Sequence, residues 1–151
     1  MAGQDEGVRR PLPDGYELDD DRARIDRVAV HDYLAGESYW AKGRSRAVMD
    51  ELVDSAARVV GLYLDGEQVG FSRVISDMHT TSYLADVYVL ATHRGRGLGV
   101  ELVRFSVEEG ELAGTRWYLH TRDAHDLYRR FGFAEPGAST LERRRPLDEG
   151  E

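Results

Sequence analysis

The stretch Tyr83–Gly99, YLADVYVLATHRGRGLG, joins a predicted strand to a predicted helix through a glycine-rich turn. Tyr83–Leu90 carries apolar side chains at alternate positions, the pattern of a strand, and Leu98–Glu109 carries them at helical spacing. The turn between them, Arg94–Gly99, contains three glycines. A strand that enters a helix through such a turn is typical of a phosphate site, because the first amides of a helix lack partners and the helix dipole favours an anion.

The spacing of this turn does not fit the common nucleotide-binding motifs. A P-loop requires a lysine and then Ser or Thr after the last glycine, where this chain has Val100 and Glu101. The dinucleotide-binding fingerprint requires a glycine at position 100 as well. Arg94 and Arg96 add positive charge that would suit an anion. The alternative is that the glycines only make a tight turn and bind nothing.

Outward from the turn, the periodicity predicts one mixed α/β domain, of the α+β type, in the order β-α-α-β-β-β-α-β-α-β. Asp65-Gly66, between two β-rich runs, is the strongest hairpin signal. We expect a mobile arm over residues 1–14, a domain over 15–146 and a tail over 147–151. The predicted strands are Tyr16–Leu18, Arg58–Leu64, Gln68–Ile75, Tyr83–Leu90, Arg116–Thr121 and Thr140–Arg144. The predicted helices are one that ends at Gly36 and those over Arg44–Ala57, Leu98–Glu109 and Ala124–Phe131, and the apolar stripe of the second has Val48 and Leu52 at its centre.

Composition excludes several classes of protein. The chain has 151 residues, of which 41% are hydrophobic and 32% charged, so neither a disordered nor a membrane protein is expected. No cysteine is present, which excludes thiolate catalysis and cysteine-ligated zinc, and the histidines have no metal-ligand spacing, so we expect no metal. The net charge of −8 argues against nucleic acid as a partner and favours a cationic one. With no apolar leader or membrane-spanning run, we expect a cytoplasmic protein.

Two motifs carry a resemblance to a known family. Arg94, Gly97 and Gly99 match an Arg-x-x-Gly-x-Gly pattern, and Leu127–Phe133 reads LYRRFGF. The first motif, with the strand before it, and the second motif resemble those of the GNAT superfamily of acetyl-CoA-dependent N-acetyltransferases. The motifs stand in the order of that family, and the likeness is strongest over residues 83–133.

The resemblance implies positions for acetyl-CoA. The main chain of Val87 and Val89 would pair with the pantetheine arm as an added strand would. Tyr128 would lie near the sulfur. Arg122 stands where many members have an asparagine, and Tyr83 stands near the position of a glutamate base, so neither role is carried over. The pyrophosphate would be held by the main chain of Arg94, Gly95, Arg96, Gly97, Leu98 and Gly99.

Three side chains are candidates for the chemistry of acetyl transfer. Tyr128 could protonate the leaving thiolate, because a phenol is neutral at pH 7; otherwise it only packs on its helix. Asp86 interrupts an apolar strand and could bind a cationic amine or relay its proton, unless it is solvated or ion-paired. His120 could be a base, because histidine ordinarily exchanges a proton near neutral pH.

The acceptor is expected to be a small-molecule or peptide amine, small or cationic. Tyr39 and Trp40, between the first two helices, could wall its site with Asp86, or could be a hydrophobic plug. Asp77 and His79 are weaker candidates. We expect direct attack by the amine in a ternary complex, since no cysteine can carry the acetyl group. The alternative is an acyl-CoA-binding or sensing module without activity, and monomer and homodimer both remain open.

Overall fold

The computed structural model describes residues 7–146, which form one sheet with helices on both faces. The predicted tail and most of the predicted arm lie outside this range. The strands are β1 (Arg9–Pro11), β2 (Tyr16–Asp19), β3 (Arg58–Leu64), β4 (Glu67–Ser76), β5 (Thr81–Val89) and β6 (Arg116–Tyr118). The helices are α1 (Arg27–Gly36), α2 (Arg46–Ser55), α3 (Leu98–Glu108) and α4 (His125–Arg129).

The sheet has six strands in chain order, antiparallel throughout except for the parallel pair β5–β6. This confirms the predicted mixed α/β class. The ends of the sheet differ from the prediction. Strand β1 lies within the predicted arm, where Arg10 pairs with Leu18, so that part of the arm belongs to the sheet. The predicted strand Thr140–Arg144 does not form, and those residues are irregular.

The hairpin β3–β4 turns at Asp65 and Gly66, whose φ angles of 51° and 82° are both left-handed. The type I′ turn predicted from Asp-Gly is the one that needs two such residues. Helices α1 and α2 cover one face of the sheet, and α3 and α4 cover the other. On α2 the buried stripe runs through Met49 and Val53, whereas Val48, predicted to face the core, is 47% exposed.

Strands β5 and β6 stay paired only from Thr81 to Tyr83 on β5. Beyond that point the rest of β5 has no partner on this side among the described residues. Within this free part, the register with β4 shifts by one residue around Asp86, which has a left-handed φ of 56°. Such a bulge re-aims side chains. The fold therefore leaves an open strand edge and a kink beside it, ahead of the glycine turn.

Candidate active site

The open edge of β5 presents main-chain groups at Val87 and Val89. The amide of Leu90 donates to the carbonyl of Val69 at 2.8 Å, so Leu90 faces β4. Because main-chain groups alternate along a strand, those of Val87 and Val89 face the opposite, open side. The carbonyl of Val89 accepts a hydrogen bond from Arg94 Nε at 2.9 Å, so this oxygen already has a partner.

The glycine turn exposes a row of unpaired amides at the start of α3. From Gly95 to Val100, none of the six consecutive N–H groups donates a hydrogen bond to a described residue. Gly95 and Gly97 have φ angles of 83° and 78°, which an L side chain rarely adopts. A Cβ built at either glycine would meet no atom within 4 Å, so the surface before these amides is open to a ligand. This arrangement is an anion cradle.

The two arginines of the turn differ in their surroundings. Arg94 is tied down, because its guanidinium also donates to the hydroxyl of Tyr33 at 2.9 Å. It therefore fixes the turn to β5 and α1, rather than offering the mobile charge suggested by the sequence. Arg96 is exposed and makes no hydrogen bond or ion pair with residues 7–146. Arg96 is thus the cation of the turn that is available to a bound phosphate.

Tyr128 lies on α4 and is buried, with its ring edge-on to Phe133 at a centroid distance of 5.9 Å. Its hydroxyl makes no hydrogen bond to another described residue. Burial above all, together with the neighbouring Tyr39 and Asp123, raises the pKa of Tyr128 to about 12. The phenol is therefore held protonated, which is the state that a proton donor needs.

Asp86 is only 5% exposed and all of its acceptor capacity faces protein donors. Its Oδ2 accepts from Arg73 Nε and Arg44 Nη1, both at 2.8 Å, and its Oδ1 accepts from Trp40 Nε1 at 2.9 Å. Burial acts to raise the pKa of Asp86, but the guanidinium groups of Arg73 and Arg44 lower it below its usual value. The carboxylate is thus neutralised by two cations, as the ion-paired alternative expected, and its role toward an amine stays a prediction.

The loop between α1 and α2 closes over this ion-pair cluster. Trp40 is anchored to Asp86, and the hydroxyl of Tyr39 accepts a hydrogen bond from the amide of Arg122 at 3.0 Å. The guanidinium of Arg122 lies 3.7 Å from the centre of the Tyr39 ring. Tyr39 and Trp40 thus form a wall that joins α1 to the segment before α4, in agreement with the place predicted for them. Whether they contact an acceptor stays a prediction.

A hydrogen-bonded chain runs from Tyr83 through His120 to Glu142. The hydroxyl of Tyr83 lies 2.5 Å from His120 Nδ1, and His120 Nε2 lies 2.6 Å from Glu142 Oε2. A carboxylate accepts only, so Nε2 carries a proton, and in the neutral ring Nδ1 accepts from the Tyr83 hydroxyl. Burial raises the pKa of Tyr83. The carboxylate of Glu142 also raises this pKa, whereas the guanidinium of Arg73 lowers it. Sequence analysis assigned no role to Tyr83 and did not consider Glu142. Strand β6 ends at Tyr118, before His120, whereas the predicted strand continued to Thr121.

Asp77 and His79 lie in the β4–β5 turn and serve it locally. Asp77 accepts hydrogen bonds from the amides of His79, Thr80 and Thr81, and these and the Thr80 hydroxyl lower its pKa. The hydrogen-bonding capacity of its carboxylate is therefore used within the turn.

Within residues 7–146 there is no group of three or more carboxylates and histidines that could hold a metal ion. No helix in that range has the length and apolar character to cross a membrane.

A strand edge left open where a parallel pair parts, followed by an anion cradle, is the arrangement expected of an acetyl-CoA-dependent acyltransferase. The family model "Acetyltransferase (GNAT) domain" matches residues 55–135. The chain therefore belongs to the GNAT acetyltransferase family, whose acetyl donor is acetyl-CoA.

Solved structures agree with this assignment. One described as a GNAT-family acetyltransferase from Xanthomonas campestris pv. campestris is 37% identical, covers 90% of this chain and 97% of its own, and has a TM-score of 0.82. Two others share the fold. An acetyltransferase from Deinococcus radiodurans R1 is 23% identical over 90% of this chain and 94% of its own, with a TM-score of 0.68. One from Clostridium acetobutylicum, solved with acetyl-CoA, is 14% identical over 91% and 96%, with a TM-score of 0.59. No curated protein matches the chain significantly.

Proposed function

We propose that this protein transfers the acetyl group of acetyl-CoA to a primary amine of a small molecule or peptide, by direct attack in a ternary complex. The observation that carries the proposal is the row of six unpaired amides from Gly95 to Val100, directly after the open edge of β5. The amides would hold the pyrophosphate and Arg96 would add charge. The main chain of Val87 and the amide of Val89 would pair with the pantetheine arm.

The acceptor would approach from the face of the sheet that carries α1 and α2. On that face lie the wall formed by Tyr39 and Trp40 and the chain Tyr83–His120–Glu142. Coenzyme and acceptor then meet at the bulge around Asp86, each held by a different part of the fold. Such positioning of the two reactants is a large part of catalysis of group transfer.

The reaction needs a base and an acid. An ammonium must lose a proton before its nitrogen can form a bond to the thioester carbon, and the carbon–sulfur bond then breaks to release a thiolate. We assign the base to His120, which accepts through the Tyr83 hydroxyl and is oriented by Glu142. We assign the acid to Tyr128, whose phenol would protonate the thiolate. The balance is one amide, one thiol and one proton released.

A coenzyme-binding module without activity is the alternative function. The hydroxyl of Tyr128 favours an enzyme, because it has no described partner and is not fully buried, so it is free to donate to a thiolate. A homodimer stays open.

The experiment is an amine screen. Release of free thiol from acetyl-CoA is followed with a panel of amino acids, amino-acid amides, polyamines and short peptides, and products are identified by mass spectrometry. We expect at least one amine to give thiol and N-acetylated product in equal amounts. Binding of acetyl-CoA with no amine-dependent turnover would instead identify the non-catalytic module.

Variants of the acid and base separate their roles from folding. Tyr128→Phe and His120→Asn should bind acetyl-CoA as the wild type does, and each should lower the turnover number by about 10²–10⁴-fold, the usual contribution of general acid–base catalysis. Unchanged turnover in conditions where chemistry limits the rate would leave either residue as packing only.

A further inference from the structure

Arg73 is a buried cation that uses only one of its five N–H donors in contacts with the described residues. It lies on β4, on the face covered by α2, and its side chain is 9% exposed. Its Nε donates to Asp86, but neither terminal nitrogen donates to any residue within 7–146. Neither terminal nitrogen is fully buried, so both can donate to a ligand that enters from solvent.

The open side of Arg73 lines a cleft under the end of α2. The cleft has a volume of about 420 Å³, in the range of sites for small ligands. Ile75 and Met78 border it and are 48% and 41% exposed, which is unusual for apolar side chains in so small a patch. The other residues in the lining are Leu52, Ser55, Ala56, Ala57 and Ser76. The cleft thus offers one cation at its inner end and an apolar surface toward solvent.

The local charge around the cleft is positive. Asp86 is shared by Arg73 and Arg44, so two guanidinium groups face one carboxylate and one positive charge remains. At short range in a desolvated site this excess outweighs the distant net charge of the chain, which solvent and salt screen. A carboxylate is attracted here and an ammonium is repelled, the opposite of the acceptor that net charge alone predicts.

Arg73 connects the cleft to the place proposed for acetyl transfer. Arg73 is in register with Ala85, the residue before the bulge at Asp86, and it lies close enough to Tyr83 to affect that hydroxyl. An anionic group bound at Arg73 would hold an amine a few bonds away beside the open edge of β5. The two free terminal nitrogens are spaced to bind both oxygens of one carboxylate.

We propose that Arg73 binds the carboxylate of the acetyl acceptor, so that the acceptor is an amino acid whose apolar side chain lies against Ile75 and Met78. This assignment rests on the proposed function and narrows its substrate class. Arg73 is a substrate-binding residue here, since its terminal nitrogens contact the acceptor and not the acetyl group.

The test compares L-methionine with L-methioninamide, which differ in the anionic group, with kcat/KM expressed per unprotonated amine so that their different basicity does not enter. We expect wild type to prefer methionine in kcat/KM by about tenfold or more, and Arg73→Lys, which keeps the charge but loses the paired nitrogens, to bring the ratio near one. Arg44→Lys is the matched control, because it alters the same buried carboxylate outside the cleft, and it should keep the preference. Equal use of both amines by wild type, or a preference that survives Arg73→Lys, would overturn the assignment.

A second pair of variants does not depend on the buried cluster. Ile75 is half exposed, so Ile75→Glu and Ile75→Gln should both fold. Ile75→Glu should lower kcat/KM for methionine relative to that for methioninamide, and Ile75→Gln should leave this ratio unchanged. An equal effect of both would contradict a bound carboxylate.

Failure of the proposed function is separable from failure of this inference. If acetyl-CoA binds but no amine of any kind is acetylated, the proposed function fails. Calorimetric titration of the CoA-loaded protein with N-acetylmethionine and N-acetylmethioninamide then tests the cleft alone. Tighter binding of the carboxylate, lost in Arg73→Lys, supports the inference, and equal or absent binding of both contradicts it.

Discussion

Asp86 shows how the partners of a single residue escape sequence analysis. A carboxylate in an apolar strand indicated either a functional acid or an ion pair, and the strand pattern gave no sign of its partners, because Arg44 and Arg73 are distant in sequence. In the structure its backbone is left-handed and its oxygens are bound to two guanidinium groups and an indole. The residue fixes the bulge and ties the α1–α2 loop to the sheet.

Replacement of this carboxylate should therefore be costly in stability. Asp86→Asn leaves two buried guanidinium groups without a counter-charge, and we expect a loss of about 3 kcal/mol in the free energy of unfolding at pH 7. Because the folded state lowers the pKa of Asp86, its contribution is present in full above the unfolded value near ~4 and is lost as pH falls below it. The difference in the free energy of unfolding between Asp86→Asn and wild type should become smaller as the pH falls.

Urea denaturation followed by tryptophan fluorescence measures this gap at several pH values. Asp126→Asn is the control, since that carboxylate is fully exposed on α4. A variant Asp86→Asn as stable as the control at pH 7 would show that the ion-pair cluster does not hold the loop.

At the scale of secondary-structure elements, the sequence pattern correctly predicted those elements whose formation depends on neighbouring residues. The Asp65-Gly66 hairpin and the helix after the glycine turn form where expected, because turn geometry and helical spacing are encoded by neighbours. The edges of the sheet were missed. Strand β1 and the short β6 depend on pairing with distant strands, and the chain Tyr83–His120–Glu142 requires an irregular segment to fold back onto β6.

The placement of α3 rests on one buried arginine of β3. Arg58 Nη1 donates to the carbonyls of Phe105, Ser106 and Glu109 at 2.8–3.0 Å, and its Nε donates to Asp20 at 3.0 Å. The carbonyls at the end of a helix lack partners and its dipole favours a cation there. This contact fixes the helix whose other end carries the unpaired amides.

Removal of this cap should destabilise the fold. We expect Arg58→Met to lower the free energy of unfolding by about 3 kcal/mol, because Asp20 and three carbonyls lose their donor. Arg104→Met on α3 itself is the control, since Arg104 is partly exposed and pairs only with Glu101 and the Phe131 ring. The free energy of unfolding is measured by urea denaturation. An equal decrease in Arg58→Met and Arg104→Met would show that the contacts of Arg58 do not hold α3 in place.

For the whole molecule, net charge is a weaker guide than local arrangement. The chain carries a formal charge of −8, yet the two places where ligands are proposed to bind are positive: the glycine turn with Arg96 and the cleft with Arg73. The acidic surface acts at long range and is screened by salt, whereas the amides and guanidinium groups act in contact. An anionic coenzyme can therefore bind to an acidic protein.

The most direct test of this account is calorimetric titration of acetyl-CoA into wild type, Gly97→Asn and Gly97→Asp. Asn and Asp both tolerate the left-handed φ of 78° and have the same shape, so they differ only in charge. If the amides from Gly95 to Val100 hold the pyrophosphate, Gly97→Asp binds acetyl-CoA at least about tenfold more weakly than Gly97→Asn does. Added salt then makes this difference in affinity smaller. If both folded variants bind acetyl-CoA as tightly as wild type, the coenzyme does not bind at the glycine turn.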